Sequence, residues 1–352
     1  MKEARKTAAI FLILAIIFSL TACAGGEDSK KGTTSITVFN WGDYIDESVL
    51  GDFEKEYGIQ VNYDYFTTNE EMYVKLKSGG TSYDVIFPSD YMIARLIKED
   101  MLHKIDMSNI TNLEHIGEEF KGLGYDPNNE YSVPYMWGTV GILYNTTMVD
   151  DPVDSWNILW NPKYEKNIFM LDSQRDSIAV ALKKLGYSLN TRVESELEQA
   201  KQELIKQRPL VLSYVGDEVK DKMIGGEAAL AVVWSGDAIF MMWENEDLEY
   251  AIPKEGTNLW FDAMAIPKTS KNKEAAEKFI NYMTSPEIAL RNTEYIGYST
   301  PNVTAREMLD DEIRNDKVAY PDMDSLEGSE VFEDLSDIIE VYNRIWDEIK
   351  AQ

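Results

Sequence analysis

The sequence predicts an α/β fold built from two domains. Three observations carry that expectation: strand-like and helix-like segments alternate from Ile36 onward, a second alternating region begins near Asn167, and the body past the N-terminal segment holds about 320 residues, more than one core usually serves. At 44% apolar and 11% aromatic residues, the chain has enough material for two cores.

Ile36–Trp41 reads as a strand, and Val49, Leu50, Phe53 and Tyr57 mark one face of a helix closed by Gly58. Ile59–Phe66 is a second strand. A helix over Glu70–Lys77 follows, with Met72 and Leu76 on one side and Gly79-Gly80 as its stop. Tyr83–Phe87 reads as a third strand ending at Pro88-Ser89, and Tyr91–Met101 as a third helix. This β-α-β-α-β order implies a parallel sheet covered by helices, with ligands beyond the carboxyl ends of its strands. Trp41–Tyr44 and Ser89–Tyr91 fall at those ends.

Farther along, Asn167–Leu171 and Ala228–Trp234 read as strands, and Leu197, Ala200 and Leu204 share a helical face. Lys273–Met283 reads as a helix capped by Ser285-Pro286. The last helix shows a strong apolar stripe of Leu335, Ile338, Ile339, Tyr342, Ile345, Trp346 and Ile349, which must pack on a domain.

At the N-terminus, Lys2, Arg5 and Lys6 precede an apolar and small-residue run from Ala8 to Leu20, too short to anchor in a bilayer and laid out like a secretory signal. Leu20-Thr21-Ala22-Cys23 resembles the lipobox of bacterial lipoproteins, which implies cleavage after residue 22 and diacylglycerol on Cys23, the only cysteine of the chain. Residues 23–34 are polar and Gly-rich and read as a flexible tether. The expected location is therefore the extracytoplasmic face of a bacterial membrane, lipid-anchored, with a body that holds no disulfide.

The formal charge is −28, and near −30 once residues 1–22 are removed. Such a surface repels nucleic acid and attracts cations. Three motifs place an aromatic beside a carboxylate: Trp41-Gly42-Asp43-Tyr44, Trp234-Ser235-Gly236-Asp237 and Trp260-Phe261-Asp262. The segment Leu171–Asp176 supplies further acids after a strand. A carboxylate in a cleft is costly unless charge or hydrogen bonds match it, and aromatic faces attract ammonium groups and cover methylene chains. Together they suit a ligand that is aliphatic in the middle and cationic at its ends. Each motif alone is commonly core packing with a helix cap, and Asp43 is placed to cap a helix starting near Glu47.

From about Ile36 to its end the chain resembles the spermidine/putrescine-binding proteins of bacterial polyamine ABC transporters. The landmarks are Phe39–Ile45, Asp84–Tyr91, Tyr131–Gly138, Trp260–Pro267 and Tyr295–Asn302. The resemblance implies a two-lobe type II periplasmic-binding-protein fold, each lobe a mixed, mostly parallel sheet flanked by helices, with the ligand in the interlobe cleft. The expected lobes are residues 35–136 with 261–303, and 137–260 with 304–352, joined by extended stretches around Trp137 and Trp260. It implies an aromatic box of Trp41, Tyr44, Trp234, Trp260 and Tyr298 around the ligand's methylenes. Carboxylates Asp43, Asp176 and Asp262 would meet its nitrogens, and Ser89 and Tyr91 would bond near one end. Spermidine-type members carry an acid where this chain has Ser173 and a Gln near Phe332, whereas Asp237 matches an acid of putrescine-type members, and Asp172–Asp176 resembles their loop. Putrescine and spermidine both stay open.

The implied partners are a polyamine, the ABC permease subunits with their cytoplasmic ATPase, and the membrane through Cys23; no cofactor or metal is expected, and the protein is expected to be a monomer. An enzyme is disfavoured, because only His103 and His115 supply imidazoles and neither a G-x-S-x-G elbow nor a phosphate loop is present. A sugar-binding relative of the same fold would lack acids beside its Trp residues. A polyamine sensor reporting to a membrane receptor would carry the same site as a transporter component, so that alternative stays open.

Overall fold

The computed structural model describes residues 34–352. Residues 1–33, with the expected signal, Cys23 and almost all of the tether, lie outside the described residues. Ser35–Gln352 forms one compact unit. No described helix is long and apolar enough to cross a membrane.

The first part alternates as the sequence predicts: β1 (Ser35–Trp41), α1 (Ser48–Tyr57), β2 (Gln60–Phe66), α2 (Asn69–Ser78), β3 (Val85–Ile86) and α3 (Asp90–Lys98). Gly58 and Gly79 end α1 and α2 in the left-handed region, at φ 65° and 67°, where a side chain would be strained. Thr68 caps α2 by accepting from the Glu71 amide at 3.1 Å. Two expectations shorten: β3 keeps two residues of the five expected, and α3 stops at Lys98, since Asp100 turns to φ 57°.

The second part holds β4 (Ser132–Asn145), β5 (Ile168–Leu171), α4 (Gln174–Lys184), α5 (Glu194–Gln207), β6 (Val211–Val215), α6 (Val219–Ile224), β7 (Leu230–Trp234), α7 (Ser235–Glu244), β8 (Leu248–Ala251) and β9 (Leu259–Ala265). Then come α8 (Lys273–Met283), α9 (Pro286–Ile296), the short α10 (Val303–Met308) and α11 (Asp311–Arg314), and α12 (Ile339–Lys350). Ser285-Pro286 begins α9 instead of only closing α8: Ser285 stands at its N-cap and Pro286 at its first turn, where the missing amide costs nothing. Leu335 and Ile338 of the expected terminal stripe precede α12, and Tyr342, Ile345 and Ile349 bury its apolar face.

Nine strands join in one sheet among the described residues, ordered β2-β1-β3-β9-β4-β7-β5-β6, with β8 also on β4. β1, β2 and β3 pair in parallel, as do β5, β6 and β7, while β9 and β4 pair antiparallel to their neighbours. The fold is thus an α/β architecture on a mixed sheet, with four parallel and four antiparallel strand pairings among the described residues, so the expectation of mostly parallel sheets gives way where β4 and β9 run against their neighbours. β4 is long enough to serve both groups: Ser132–Thr139 pair with β9, and Val140–Asn145 with β7 and β8.

Both faces of the sheet are covered, and strand periodicity assigns side chains to them. On β1, Ile36 and Val38 enter one apolar cluster and Phe39 the other; β3 divides Val85 from Ile86 in the same way. On β7, Leu230 and Val232 face one core and Ala231 and Val233 another. Phe53 of α1 meets Phe279 of α8 edge-on at 5.1 Å, tying the N-terminal helix to a segment more than 200 residues away.

The centre of β4 admits no side chain at Gly141. A Cβ there would run into the Tyr250 ring and lie 2.6 Å from the Ala251 carbonyl oxygen. Tyr250 cannot swing freely, because its hydroxyl shares a 2.9 Å hydrogen bond with Thr139 Oγ1. Gly141→Ala is expected to destabilise the protein by about 1–3 kcal/mol, the usual range for overpacking, read as a lowered midpoint in urea unfolding.

Candidate ligand site

Trp41 closes β1. Its Nε1 donates to the Phe87 carbonyl at 2.8 Å and its ring leans on Phe66 with centroids 4.6 Å apart. The chain then turns through Asp43 at φ 44°, a conformation that short acidic side chains tolerate. The turn delivers Tyr44 into the interior, where its hydroxyl donates to Asp262 Oδ2 at 2.8 Å and its carbonyl accepts from Tyr135 Oη at 2.7 Å. Ser89 stands at the N-terminus of α3 and exchanges two bonds with Asn69: Asn69 Nδ2 donates to Ser89 Oγ at 3.0 Å, and the Ser89 amide donates to Asn69 Oδ1 at 3.2 Å. Ser89 also forms a backbone bridge to Asp262 of β9, which sets its hydroxyl near that carboxylate.

Asp176 lies in the first turn of α4. Ser173 Oγ donates to its Oδ2 at 2.7 Å and Asn258 Nδ2 to its Oδ1 at 3.1 Å. Trp234 ends β7, and Asp237 sits one turn later in α7, with the Tyr298 hydroxyl nearby. Tyr298 stands edge-on to Tyr44 at 5.0 Å and 5.6 Å from Trp260. Gly236 makes this approach possible, since a Cβ there would enter the Tyr298 ring.

Tyr44, Asp262, Trp260, Tyr298 and Asp237 therefore form one continuous, buried set, drawn from segments more than 200 residues apart. Asp176 joins it through Asn258, two residues before Trp260. Tyr91 stands at the margin: its hydroxyl donates to Glu70 at 3.1 Å, and its ring meets Phe332 edge-on at 6.0 Å. Asp43 is no helix cap. Its side chain is 73% exposed and pairs with Lys220 at 3.1 Å, while Asp46 accepts from the Ser48 amide at the start of α1. Asp172 is drawn away to Lys350 at 2.7 Å.

Several participants escape the sequence reading. Asn69 and Lys220 lie in helices with no distinguishing pattern, and Tyr135, though inside the Tyr131–Gly138 landmark, had no expected role. Arg175 is buried beside Phe332, its guanidinium 4.2 Å from the ring centre, and donates to the Glu333 carbonyl and Asn190 Oδ1, each at 3.2 Å. Asn258 alone had a usable signal, its place next to Leu259-Trp260. Asp84 and Asp90, both within a landmark motif, serve the framework. Asp84 accepts from the Thr37 amide at 2.8 Å and Ser270 Oγ at 2.6 Å, and Asp90 accepts from the Phe261 amide at 3.0 Å.

Burial dominates the electrostatics. It pushes the Asp262 carboxyl up to about 7, against the hydrogen bonds from Ser89 and Tyr44 and with the nearby Asp176 charge adding to the rise. Burial likewise lifts Asp237 to about 6, against the attraction of Lys220, and raises Asp176. Asp90 reaches about 8 through burial. Among the described residues, neither Asp262 nor Asp176 has an ion-pair partner, and Asp262 Oδ1 and Trp260 Nε1 are buried without a hydrogen-bond partner in the protein. The arrangement can receive ammonium groups at Asp262 and Asp176 and hold a methylene chain against Tyr44, Trp260 and Tyr298.

The raised pKa values fix a sign. Asp262, Asp237 and Asp90 titrate above the ordinary aspartate value of 3.8, so the folded chain keeps protons that the unfolded chain has released. Their contribution to stability is full below about pH 4 and is lost as pH rises through about 6 to 8. The melting temperature of ligand-free protein should fall between pH 5 and pH 8, and Asp262→Asn should flatten that slope; equal slopes for both proteins in scanning calorimetry would contradict the assignment.

Residues 49–320 match the family of bacterial extracellular solute-binding proteins. A spermidine/putrescine-binding periplasmic protein of Salmonella typhimurium is 39% identical over 319 residues, covering 90% of this chain and 92% of the relative. A solved structure from Listeria monocytogenes, described as a spermidine/putrescine ABC transporter, superposes with a TM-score of 0.88 at 45% identity, covering 90% of this chain and 99% of the other. The spermidine/putrescine ABC transporter substrate-binding protein of Streptococcus pneumoniae gives 0.79 at 44% identity, with the same coverage. With the fold, the buried aromatic–carboxylate set and these relatives in agreement, the chain belongs to the bacterial extracellular solute-binding proteins, among the spermidine/putrescine-binding members.

Proposed function

We propose that this protein is an extracytoplasmic solute-binding lipoprotein that captures polyamines, putrescine and spermidine, and hands them to an ABC permease. One observation carries the reading: Asp262 and Asp176 are buried carboxylates without an ion-pair partner among the described residues, and Asp262 is bonded by Tyr44 within a packed cluster of Tyr44, Tyr298 and Trp260. Leaving carboxylates in such surroundings is unfavourable, and a bound ammonium removes the penalty. Alkyl ammonium groups titrate near 10.4 by analogy with lysine and stay charged at neutral pH. The names of the relatives, spermidine/putrescine-binding proteins, agree with this chemistry.

In this reading residues 35–136 with 261–303 make one lobe and 137–260 with 304–352 the other, hinged along β4 and β9. Trp41, Asp43, Tyr44, Ser89, Tyr91 and Asp262 come from the first lobe, with Tyr298. Asp176, Trp234, Asp237 and Trp260 come from the second, so ligand uptake closes the cleft, as hinged binding proteins do. Cys23 carries the lipid that holds the body at the outer face of the membrane, where the permease receives its cargo.

The test is calorimetric titration of ligand-stripped protein with putrescine, spermidine, spermine, cadaverine, lysine and maltose. Putrescine and spermidine should both bind, putrescine slightly tighter; heat from maltose or lysine alone would refute the reading. Asp262→Asn and Asp176→Asn should each cost about 2–5 kcal/mol of binding, because each leaves a desolvated cation without its partner. Affinity should also rise from pH 5 to pH 8, since an ammonium at Asp262 must displace the proton held up to about 7. An affinity constant across that range would place the cation elsewhere.

A further inference from the structure

Among the described residues, Lys220 is the one lysine that pairs with the carboxylate set. It projects from α6, its side chain is only 15% exposed, and its Nζ lies 3.1 Å from Asp43 Oδ2 and 3.9 Å from Asp237 Oδ1. Asp217, in the turn before α6, adds a third acid nearby. Desolvation works against the Lys220 charge, yet the attraction of Asp237, Asp43 and Asp217 together carries its pKa above the ordinary lysine value, so the group is an ammonium at neutral pH.

The two ends of the set differ accordingly. Asp262 bonds Tyr44, Tyr44 packs edge-on against Tyr298, Tyr298 lies over Gly236 beside Asp237, and Asp237 faces Lys220, while Asp176 sits near enough to Asp262 for its charge to be felt there. Asp237 has a cation of the chain itself beside it, the Lys220 ammonium 3.9 Å away, and the Tyr298 hydroxyl also favours its charge. Asp262 and Asp176 receive hydrogen bonds from neutral groups and, among the described residues, no ion pair, with Arg175 acting on Asp176 only from beyond ion-pair distance.

We propose that Lys220 is a specificity-determining residue that acts as a built-in ammonium: it occupies the Asp237–Asp43 end of the cleft and leaves Asp262 and Asp176 for the two cationic ends of a diamine. The inference rests on the polyamine reading above and goes beyond it by naming what limits ligand length. A triamine extending past Asp262 toward Asp237 meets the positive charge of Lys220 instead of a free carboxylate, and like charges brought together in a desolvated cleft repel. Lys220 also spans two segments distant in sequence, so its charge is fixed in place by acids on both sides.

The experiment compares putrescine and spermidine affinities of wild-type protein, Lys220→Met and Lys220→Met/Asp237→Asn by calorimetry. Lys220→Met should shift the affinity ratio toward spermidine by tenfold or more, because Asp237 becomes free for a third ammonium. The double variant, which removes that freed acid, should lose most of the shift. A ratio within twofold of wild type in Lys220→Met, or a parallel change for both ligands, overturns the proposal. Lys220→Gln is carried alongside and judged by the same ratio, so a poorly folding Met variant does not decide the matter. Wild-type protein that takes up neither polyamine overturns the polyamine reading itself, and this inference with it.

Discussion

The backbone of β4 constrains everything else. Its 14 residues are buried along almost their whole length, and each buried amide and carbonyl must find a partner. No single neighbouring strand is that long. β9 serves the first part, and β7 and β8 serve the second, so two strand–helix groups are bound to one common strand. The same pairing sets Gly138 opposite Trp260 and Met136 opposite Asp262, which plants an indole and a carboxylate in the middle of the sheet. Crowding follows: a Cβ at Gly138 would lie 2.6 Å from the Trp260 ring, so glycine there and at Gly141 is a condition of the packing.

That placement makes the site expensive. Asp262, Asp176 and Asp237 are 5–6% exposed, and their carboxyls are all driven upward by burial. The chain offsets part of the cost locally with hydroxyl and amide donors from Tyr44, Ser173 and Asn258. Among the described residues it supplies an ion pair at one end, from Lys220 to Asp237, while Arg175 acts on Asp176 from farther away. Framework acids are treated differently: Asp84 and Asp126 each accept several hydrogen bonds, Asp126 from the Glu130, Tyr131 and Ser132 amides and the Ser132 hydroxyl. A buried acid that is saturated with donors holds structure, and one left short of them is available to a ligand.

Much of this was legible before any coordinates. The Gly58 and Gly79 stops, the β1 alternation, the α8 limits and the Leu197–Ala200–Leu204 face depend on local periodicity and turn chemistry, and they stand where expected. The errors are equally physical. β3 and α3 shrink because backbone pairing and a left-handed Asp100 override apolar runs, and Ser285-Pro286 opens a helix because a proline suits a first turn as well as a stop. At the site, residues flagged by an aromatic beside an acid were visible, while Asn69 and Lys220 were not, and Tyr135 and Arg175, though inside noted segments, had no expected role, since each gains its role from neighbours far away in the chain.

The sequence by itself determined the α/β class, the order of the early elements and the aromatic and acidic residue types of the cleft, because each is written in spacings of a few residues. Only the tertiary structure decided which acids meet which rings. Asp43 looked like a helix cap and became the partner of Lys220; Asp172 and Asp176 are four residues apart, yet one goes to Lys350 at the surface and the other into the interior. The difference between them is burial, and burial is set by long-range pairing that no local pattern encodes.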